Sequence, residues 1–471
     1  MLEKYNPKDV MHWFEEITKI PHGSYNEKAL SDYIVEFAKE RNLKYYQMDE
    51  YVVLVKKPAT KGYENRKPII LQGHIDMVCE KDPEIEHDFE KDPLKLIVED
   101  GWLRADGTTL GGDDGIAAAY MLAILDSDEI EHPAIECLFT TQEEVTMAGA
   151  KSVTGENIDG KYLFNIDGEV EEYLLVGCAG GLTMFTEYEY EEVELAQTEK
   201  AYRISVVGAS GGHSGQEIEK SRANAIKILA RILANLDSPM IAEISGGSKH
   251  NAIPTSAQAV VVCNEVYNVH ELIENLKNGY SYTDPNMKVN IEEMEVKKAM
   301  TEKDSQDIIN MLVAIPDGVQ YMDPVFDGLV MTSLSNGILE QEPLKVKLTT
   351  LLRSSSKVAE EEIYERFKTI VEAFGATISD DGGYPAWEHE IDSDLEKSAI
   401  EVYKEVFNRE PKVRTMHCGL ECGILKTPLP ETEMITFGPD MQDIHTSKER
   451  LNIESVEKIY EFIKKLLISL K

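Results

Sequence analysis

The sequence predicts an α/β protein in which an open sheet with helices is interrupted by an inserted α+β domain. Two observations support this fold class. Apolar runs of strand length, such as Ile69–Leu71 and Ile135–Thr141, alternate with helical patterns and are followed by acidic residues. From Leu182 onwards, polar and apolar residues alternate as in exposed antiparallel strands.

The same change of pattern predicts the domain organisation. Residues 1–181 and 385–471 are assigned to one domain, and residues 182–384 to the inserted domain. A short strand at Met434–Phe437 and a final helix from Asn452 complete the first domain. Because a sheet-then-helix order recurs inside the inserted domain, its origin from two related α+β halves stays open.

Composition and charge exclude several classes of protein. Apolar residues make up 42% of the 471 residues, and the formal net charge is −38. Such an acidic balance argues against nucleic acids and anionic membranes as partners. The first residues lack a signal-peptide pattern, and no apolar run reaches membrane-spanning length. The six cysteines have no zinc-finger spacing, so we expect a cytoplasmic protein with reduced thiols.

Local patterns predict the remaining elements. Helical periodicity predicts two helices in the first forty-odd residues. The acidic segment 80–100, with two Asp-Pro steps, predicts a surface loop. The glycine-rich stretch Gly208–Gly215 is followed by an amphipathic pattern that predicts a long helix to about Leu236.

Acids and histidines follow several of the predicted strands. A histidine such as His74 at a strand end is compatible with a metal ligand, a general base or a core residue. Ligands in open α/β sheets bind at the carboxyl ends of the strands, so we expect these residues to share one site. The residues delivered in this way are His74, Asp76, Asp113, Asp114, Glu143, Glu144, Asp167 and His445.

The residue types in this set favour a centre for two divalent cations. Such a centre needs one bridging carboxylate, a few terminal histidine or carboxylate ligands, and open positions for water and substrate. Glu143 and Glu144 are adjacent and cannot point the same way in extended backbone, so one suits a ligand and the other a general base. Asp76 suits the orientation of a metal-bound His74 imidazole. Either Asp113 or Asp114 is compatible with the bridge, since helix capping accounts for one of them.

Six motifs carry a resemblance to a known family. In this order, the first five resemble the successive motifs of the aminoacylase/carboxypeptidase clan of di-zinc metallopeptidases, and with the sixth the resemblance covers essentially the whole chain. The motifs are Gly73–Met77, Gly111–Gly115, Thr141–Glu144, Asn165–Glu169, Gly211–Gly215 and His417–Gly423. Together with Gly438-Pro-Asp and His445, the last motif is similar to a dipeptidase branch that acts on substrates ending in histidine.

The resemblance implies a zinc-exopeptidase-like catalytic domain with a central mixed sheet flanked by helices, interrupted by a lid domain. It implies two Zn²⁺ ions, with Co²⁺ or Mn²⁺ as substitutes. The implied ligands are Asp113 as the bridge, His74 and Asp167 on one zinc, and Glu144 and His445 on the other. Glu143 would be the general acid/base and Asp76 the residue that orients His74. The implied substrate-binding residues of the lid and its surroundings are His213, Asn251, Arg353 and His417.

The implied activity is hydrolysis of short peptides, namely dipeptides that preferentially end in histidine. Within the clan, the alternatives are a tripeptidase, an aminoacylase or a carboxypeptidase with the same metals. Outside catalysis, the alternative is a descendant that binds peptide without turnover, although such a protein has no need of a free Glu143. A homodimer is compatible with the resemblance, and His213 would act either in its own subunit or in a partner.

Overall fold

The computed structural model describes residues 1–195 and 200–470. The chain forms two compact units, each of which has its own sheet and core. The first unit comprises Met1–Gly177, His389–Thr415 and Leu420–Lys471. The second unit comprises Cys178–Glu388 and Met416–Gly419, so His417 belongs to the second unit.

The helices alternate with strands in both units. The α-helices are α1 (Lys8–Ile17), α2 (Lys28–Glu40), α3 (Gly112–Asp126), α4 (Ala148–Ser152), α5 (Ala225–Leu233), α6 (His270–Gly279), α7 (Glu302–Ala314), α8 (Lys357–Ala373), α9 (Asp394–Phe407), α10 (Glu421–Lys426) and α11 (Ile453–Ser469). Within residues 1–195 and 200–470, none of the helices combines the length and apolarity needed to cross a bilayer.

The strands fall into sets that belong to one unit or the other. Those of the first unit are β1 (Lys44–Gln47), β2 (Val53–Lys57), β3 (Ile69–His74), β4 (Leu96–Glu99), β5 (Trp102–Ala105), β6 (Ile135–Thr140), β7 (Tyr162–Asn165) and β8 (Tyr173–Cys178, which ends in the second unit). Those of the second unit are β9 (Gly180–Glu189), β10 (Glu192–Glu194), β11 (Ala201–Val207), β12 (Met240–Gly246), β13 (Ala257–Val262), β14 (Lys288–Met294), β15 (Lys298–Met300), β16 (Gly318–Met322), β17 (Val330–Glu342), β18 (Lys345–Ser354) and β19 (Thr377–Asp380). The last strands are β20 (Lys412–Met416), β21 (Glu433–Thr436), β22 (Met441–Gln442) and β23 (Arg450–Asn452).

The first unit is built on an eight-stranded mixed sheet, which confirms the predicted fold class. Its strand order is β1-β2-β6-β3-β7-β21-β8-β20. Strands β6, β3, β7 and β21 run parallel to one another, whereas β2 runs antiparallel to both of its neighbours, β6 and β1. All six residues of β3 are buried, as expected for a central strand covered on both faces. The carboxyl ends of the four parallel strands therefore lie at one edge of the sheet.

Helix α3 packs against β3 and is buried all round, which explains why it is apolar on every side. The contact is close at Gly73. A Cβ added there would lie within 2.4 Å of Ala117 Cβ and of Asp114 Oδ2. The absence of a side chain at Gly73 thus allows the start of α3 to approach the end of β3.

A small four-stranded sheet, β22-β23-β5-β4, completes the first unit. The prediction of a surface loop over residues 80–100 is wrong at its end, because β4 occupies Leu96–Glu99. Asp100 and Gly101 both have positive φ and join β4 to β5 as a hairpin. This sheet supports the loop between β22 and β23, which carries His445.

The second unit contains a nine-stranded sheet whose pairings are all antiparallel, as predicted for an α+β domain. Its apolar residues join helices α5 to α8 to one face of the sheet. The predicted long helix after Gly215 is shorter than expected: α5 begins only at Ala225. Its start is set by Asn224, whose side chain accepts hydrogen bonds from the N–H groups of Ile226 and Lys227.

The close contact at Gly73 gives a stability prediction. Gly73→Ala should destabilise the protein by about 1–3 kcal/mol, because the added methyl group cannot fit without moving α3 or β3. Gly115→Ala, in helix α3, is the matched control, since the added Cβ would meet only Phe14 and Ile17 at ordinary contact distances of 3.5 and 3.8 Å. Urea unfolding measures both variants. Equal midpoints for the two variants would contradict the prediction.

Candidate metal centre

The candidate centre is built at the carboxyl edge of the parallel strands of the first unit. His74 is the last residue of β3, and Glu143 and Glu144 lie in the turn after β6. Asp167 follows β7, and Asp113 lies at the start of α3. The four strand-end and helix-end segments therefore converge, as the sequence predicts.

His74 lies among carboxylates and is almost completely buried. Its Nε2 is 3.2 Å from Asp113 Oδ1 and 3.6 Å from Asp167 Oδ1. Its Nδ1 is 3.1 Å from the carbonyl oxygen of Asp76 and 3.4 Å from Asp76 Oδ1. Although burial opposes it, hydrogen bonding to these carboxylates raises the pKa of His74 well above its ordinary value.

Asp113 lies between two imidazoles, with one oxygen towards each. Its Oδ1 faces His74, and its Oδ2 is 3.2 Å from His445 Nε2. The same His445 atom is 2.8 Å from Glu144 Oε1. Hydrogen bonds to Asp113 and Glu144 raise the pKa of His445 to about 11. Asp113, and not Asp114, therefore contacts both imidazoles.

Asp76 connects His74 to the turn that carries the two glutamates. Its Oδ1 accepts a hydrogen bond from Glu143 N at 3.0 Å, and its Oδ2 accepts one from Glu144 N at 3.3 Å. Ser24 Oγ donates a further bond to Oδ2 at 2.9 Å. Asp76 thus contacts the His74 imidazole and also holds the backbone from which Glu143 and Glu144 project, a second contact that the sequence did not reveal.

The electrostatics of the centre fit divalent cations. Burial raises the pKa of Asp114 and of Glu143 well above their ordinary values, and it raises that of Asp167 to about 7. Both oxygens of Asp114 are buried without a hydrogen-bond donor among the described residues.

Two groups of side chains have ligand atoms close enough together to hold a metal ion. They are His74, Asp113 and Glu144, and His74, Asp114 and Asp167. Crowded carboxylates of this kind need positive charge to remain ionised together.

Glu449 is a further residue of this region that sequence reasoning missed. Its carboxylate is buried and accepts hydrogen bonds from the backbone immediately before and at Asp113. Burial and the charge of Asp113 raise the pKa of Glu449 to about 7, whereas its N–H donors lower it. In the sequence, Glu449 is marked only by its position four residues after His445. A glutamate is ordinarily exposed, so the sequence gives no reason to expect it in the site.

The predicted substrate-binding residue His213 lies in the second unit, in the loop after β11. Its Nδ1 accepts hydrogen bonds from Gly215 N at 3.2 Å and Gln216 N at 3.0 Å. The imidazole therefore carries its proton on Nε2, which is left as a donor. Burial and the positive charge of Arg353 lower the pKa of His213, which favours this neutral form.

Arg353 and His417 lie close to His213 in the same unit. A Cβ at Gly215 would be 3.1 Å from His213 Cε1 and 3.2 Å from Arg353 Nε, so this glycine lets the two side chains flank it. Arg353 Nη1 donates to the Tyr384 hydroxyl at 2.8 Å. Its buried Nε has no acceptor among the described residues.

His417 and Asn251 complete the group of predicted substrate-binding residues. His417 Nε2 is 2.7 Å from Ser333 Oγ. Burial and the Arg353 guanidinium lower the pKa of His417 to about 3. The carbonyl oxygen of Asn251 accepts a hydrogen bond from Ser214 N at 3.0 Å, which ties it to the His213 loop. The second unit therefore gathers a guanidinium and two neutral imidazoles, a combination suited to an anionic group.

A mixed sheet with a cluster of histidine and carboxylate side chains at the carboxyl edge of its parallel strands fits the class of metallopeptidases. The chain belongs to the family described as Peptidase family M20/M25/M40, whose pattern matches residues 70–469. The clan resemblance of the sequence is thereby confirmed.

Relatives and solved structures agree with this family. The chain is 34% identical to a cytosol non-specific dipeptidase of Escherichia coli (strain K12), over 99% of this chain and 98% of the relative. It is similar to the crystal structure of an aminoacylhistidine dipeptidase from Vibrio alginolyticus, with a TM-score of 0.93, 33% identity, and coverage of 100% and 98%. An aminopeptidase of Bacillus cereus shares the fold at a TM-score of 0.57 and 16% identity, over 99% of both chains.

The pKa of His417 predicts how stability depends on pH. Above pH 6.5 this imidazole is neutral in the folded and unfolded chains. As the pH falls below about 6.5, the unfolded chain binds a proton that the folded chain does not bind, so the free energy of unfolding falls. His417→Gln removes this loss. Between pH 7 and pH 4 its free energy of unfolding should therefore fall by ~3 kcal/mol less than that of the wild type, since each pH unit between about 6.5 and 4 contributes about 1.4 kcal/mol, and its melting temperature should fall correspondingly less.

Calorimetry at a series of pH values tests this dependence. His250→Gln, at an exposed histidine of the same unit, is the control and should follow the wild type. Identical pH profiles for the wild type and His417→Gln would show that His417 is not held neutral by its surroundings.

Proposed function

We propose that this protein is a cytoplasmic dipeptidase that uses two Zn²⁺ ions to hydrolyse dipeptides, preferentially those with a C-terminal histidine. The observation that carries the proposal is the position of Asp113, with one carboxylate oxygen towards His74 and the other towards His445. A carboxylate shared in this way is what a two-metal centre requires. Co²⁺ and Mn²⁺ would be substitutes, since their preferred ligands overlap with this set.

Each residue of the centre receives one role in the proposal. Asp113 would bridge the two cations, His74 and Asp167 would complete one, and Glu144 and His445 the other. Bound there, the cations would lower the pKa of a water molecule and polarise the scissile carbonyl group. Asp76 would keep His74 in its orientation through the contact to Nδ1.

Glu143 would move the proton in this reaction. Its burial raises its pKa, which matches a carboxylate that must both accept and donate a proton near neutral pH. Glu143 takes a proton from water as the water oxygen bonds to the carbonyl carbon. It then returns that proton to the amine nitrogen as the C–N bond breaks.

The group in the second unit would bind the substrate. As the family resemblance implies, the Nε2–H of His213 would be a donor for the oxyanion that develops on the carbonyl oxygen. Arg353, with its free Nε–H, would bind the C-terminal carboxylate of the peptide, a task suited to a guanidinium. His417 and Asn251 would line the same substrate position. Supply of His213 by a partner subunit and formation of a homodimer stay predictions from the sequence.

The preference for dipeptides is supported by the relatives. Both the Escherichia coli relative and the Vibrio alginolyticus structure are named as dipeptidases, and each is matched over 98% of its length. A tripeptidase, an aminoacylase or a carboxypeptidase would use the same metal centre and differ in the space around the substrate.

The first test of this proposal is a substrate panel. We expect the purified protein to hydrolyse dipeptides ending in histidine faster than dipeptides with other C-termini, tripeptides or N-acyl amino acids. Chelation should abolish turnover, and added Zn²⁺ should restore it, because the ligands bind the ion reversibly. A preference for tripeptides or N-acyl amino acids would reassign the substrate class. Activity that survives complete metal removal would refute the metal centre.

The second test separates proton transfer from metal binding. Glu143→Gln should retain the metal content of the wild type but lose about three or more decades of kcat, because the ligands remain while the proton acceptor is gone. Glu144→Gln is the matched neighbour and should lose metal as well as activity. Metal analysis and steady-state kinetics measure both. Near-normal turnover in Glu143→Gln would remove this residue from the mechanism.

A further inference from the structure

Glu449 forms a set of hydrogen bonds that is unusual for a single carboxylate. Its Oε2 accepts from Leu110 N at 2.7 Å and Gly111 N at 3.1 Å. Its Oε1 accepts from Gly112 N at 2.8 Å and Asp113 N at 3.3 Å. Four successive backbone N–H groups therefore converge on one buried side chain, in the manner of an anion-binding nest.

The two glycines of this turn, Gly111 and Gly112, allow the backbone to approach the Glu449 carboxylate closely. Gly111 has a φ of +65°, and a Cβ at Gly112 would lie 3.2 Å from Glu449 Oε1. From the sequence, the two glycines suggest a backbone that approaches a ligand closely. In the structure, the group that their backbone approaches is the carboxylate of Glu449.

Glu449 also belongs to the segment that carries His445. Both residues lie in the loop between β22 and β23, and Glu449 directly precedes β23, which pairs with β5. The same side chain thus holds one end of the His445 loop against the turn that ends in Asp113. His445 Nε2 lies 3.2 Å from Asp113 Oδ2 across this junction.

We propose that Glu449 is a positioning residue for the metal centre: it fixes Asp113 relative to His445 and thereby sets the affinity for the cations that Asp113 shares. This inference rests on the proposed metal centre. Glu449 reaches the centre only through the backbone that bears Asp113, so its role lies in the geometry of the ligands. Loss of such outer contacts typically costs 10–100-fold in metal affinity.

A purely structural role is the alternative, and the chain offers a matched control for it. Glu136 in β6 is also buried, and its carboxylate accepts hydrogen bonds from Asp159 N and Gly160 N at 2.9 and 3.0 Å. Lys56 Nζ lies 2.7 Å from it. Glu136 therefore stabilises the same unit without contact to any of the proposed ligands.

The experiment compares Glu449→Gln with Glu136→Gln by titration of the metal-free proteins with Co²⁺. The visible spectrum of bound Co²⁺ reports the number of ions, their ligand geometry and their dissociation constants. In Glu449→Gln, a side-chain NH₂ group replaces one of the two accepting oxygens. This group faces backbone N–H donors and cannot accept from them, so the turn must move. We expect at least one Co²⁺ site to weaken by about 10–100-fold and its spectrum to change. Glu136→Gln should lower the melting temperature but bind Co²⁺ as the wild type does.

Two outcomes would overturn the inference: wild-type Co²⁺ affinity and spectrum in Glu449→Gln, or an equal loss of affinity in both variants. If Glu449→Gln does not fold, Glu449→Asp replaces it, since it keeps the charge but shortens the reach. This variant should also bind Co²⁺ more weakly, and wild-type affinity in it would equally refute the inference. A wild-type protein that binds no Co²⁺ or Zn²⁺ would instead refute the proposed metal centre, and the inference with it.

Discussion

The burial and mutual repulsion of several carboxylates around two imidazoles is the constraint on which the first unit of this molecule depends. Burial raises the pKa of Asp167 to about 7, and the charges of neighbouring acids add to this rise, whereas Asp113, held between two histidines, has its pKa lowered. Burial alone would drive these groups to their neutral forms. Positive charge in the crevice is therefore a condition for the full set of ionised ligands, which is why this cluster favours a metal centre over a network of hydrogen bonds.

The fold supplies this crowding through its topology. Parallel strands bring segments that are distant in the sequence to the same edge, and each strand end contributes one or two side chains. Precision comes from carboxylates that bind backbone N–H groups. Asp76 holds the turn with the two glutamates, and Glu449 holds the turn that ends in Asp113. The side chains that set the geometry are thus carboxylates, as are most of the proposed ligands.

The sequence predicted the fold class and the residues of the crevice, because strand-end acids and histidines form a pattern that can be read locally. The hairpin of β4 and β5 was missed although its Asp100-Gly101 step is a strong turn signal, since the acidic composition around it indicated a loop. The late start of α5 has another reason. The amphipathic pattern in the sequence begins before Asn224, the residue that caps the helix in the structure.

The role of Glu449 lay beyond sequence reasoning on physical grounds. Its partners are backbone N–H groups more than three hundred positions earlier in the chain, and a backbone group leaves no signature in the residue types. In the same way, the tautomer of His213 follows from two N–H donors of its own loop, which become evident only when the loop conformation is known.

The order of strands in the first unit has a consequence for how the chain folds during synthesis. Strand β21, near the carboxyl terminus, lies between β7 and β8, which are consecutive in the sequence. The sheet therefore cannot close until the whole second unit has been made, and its pairings are among the most distant in the chain. Until then, the edge of β7 is unpaired and the carboxylates of the crevice lack His445. Assembly of the sheet and completion of the ligand set thus become one late event.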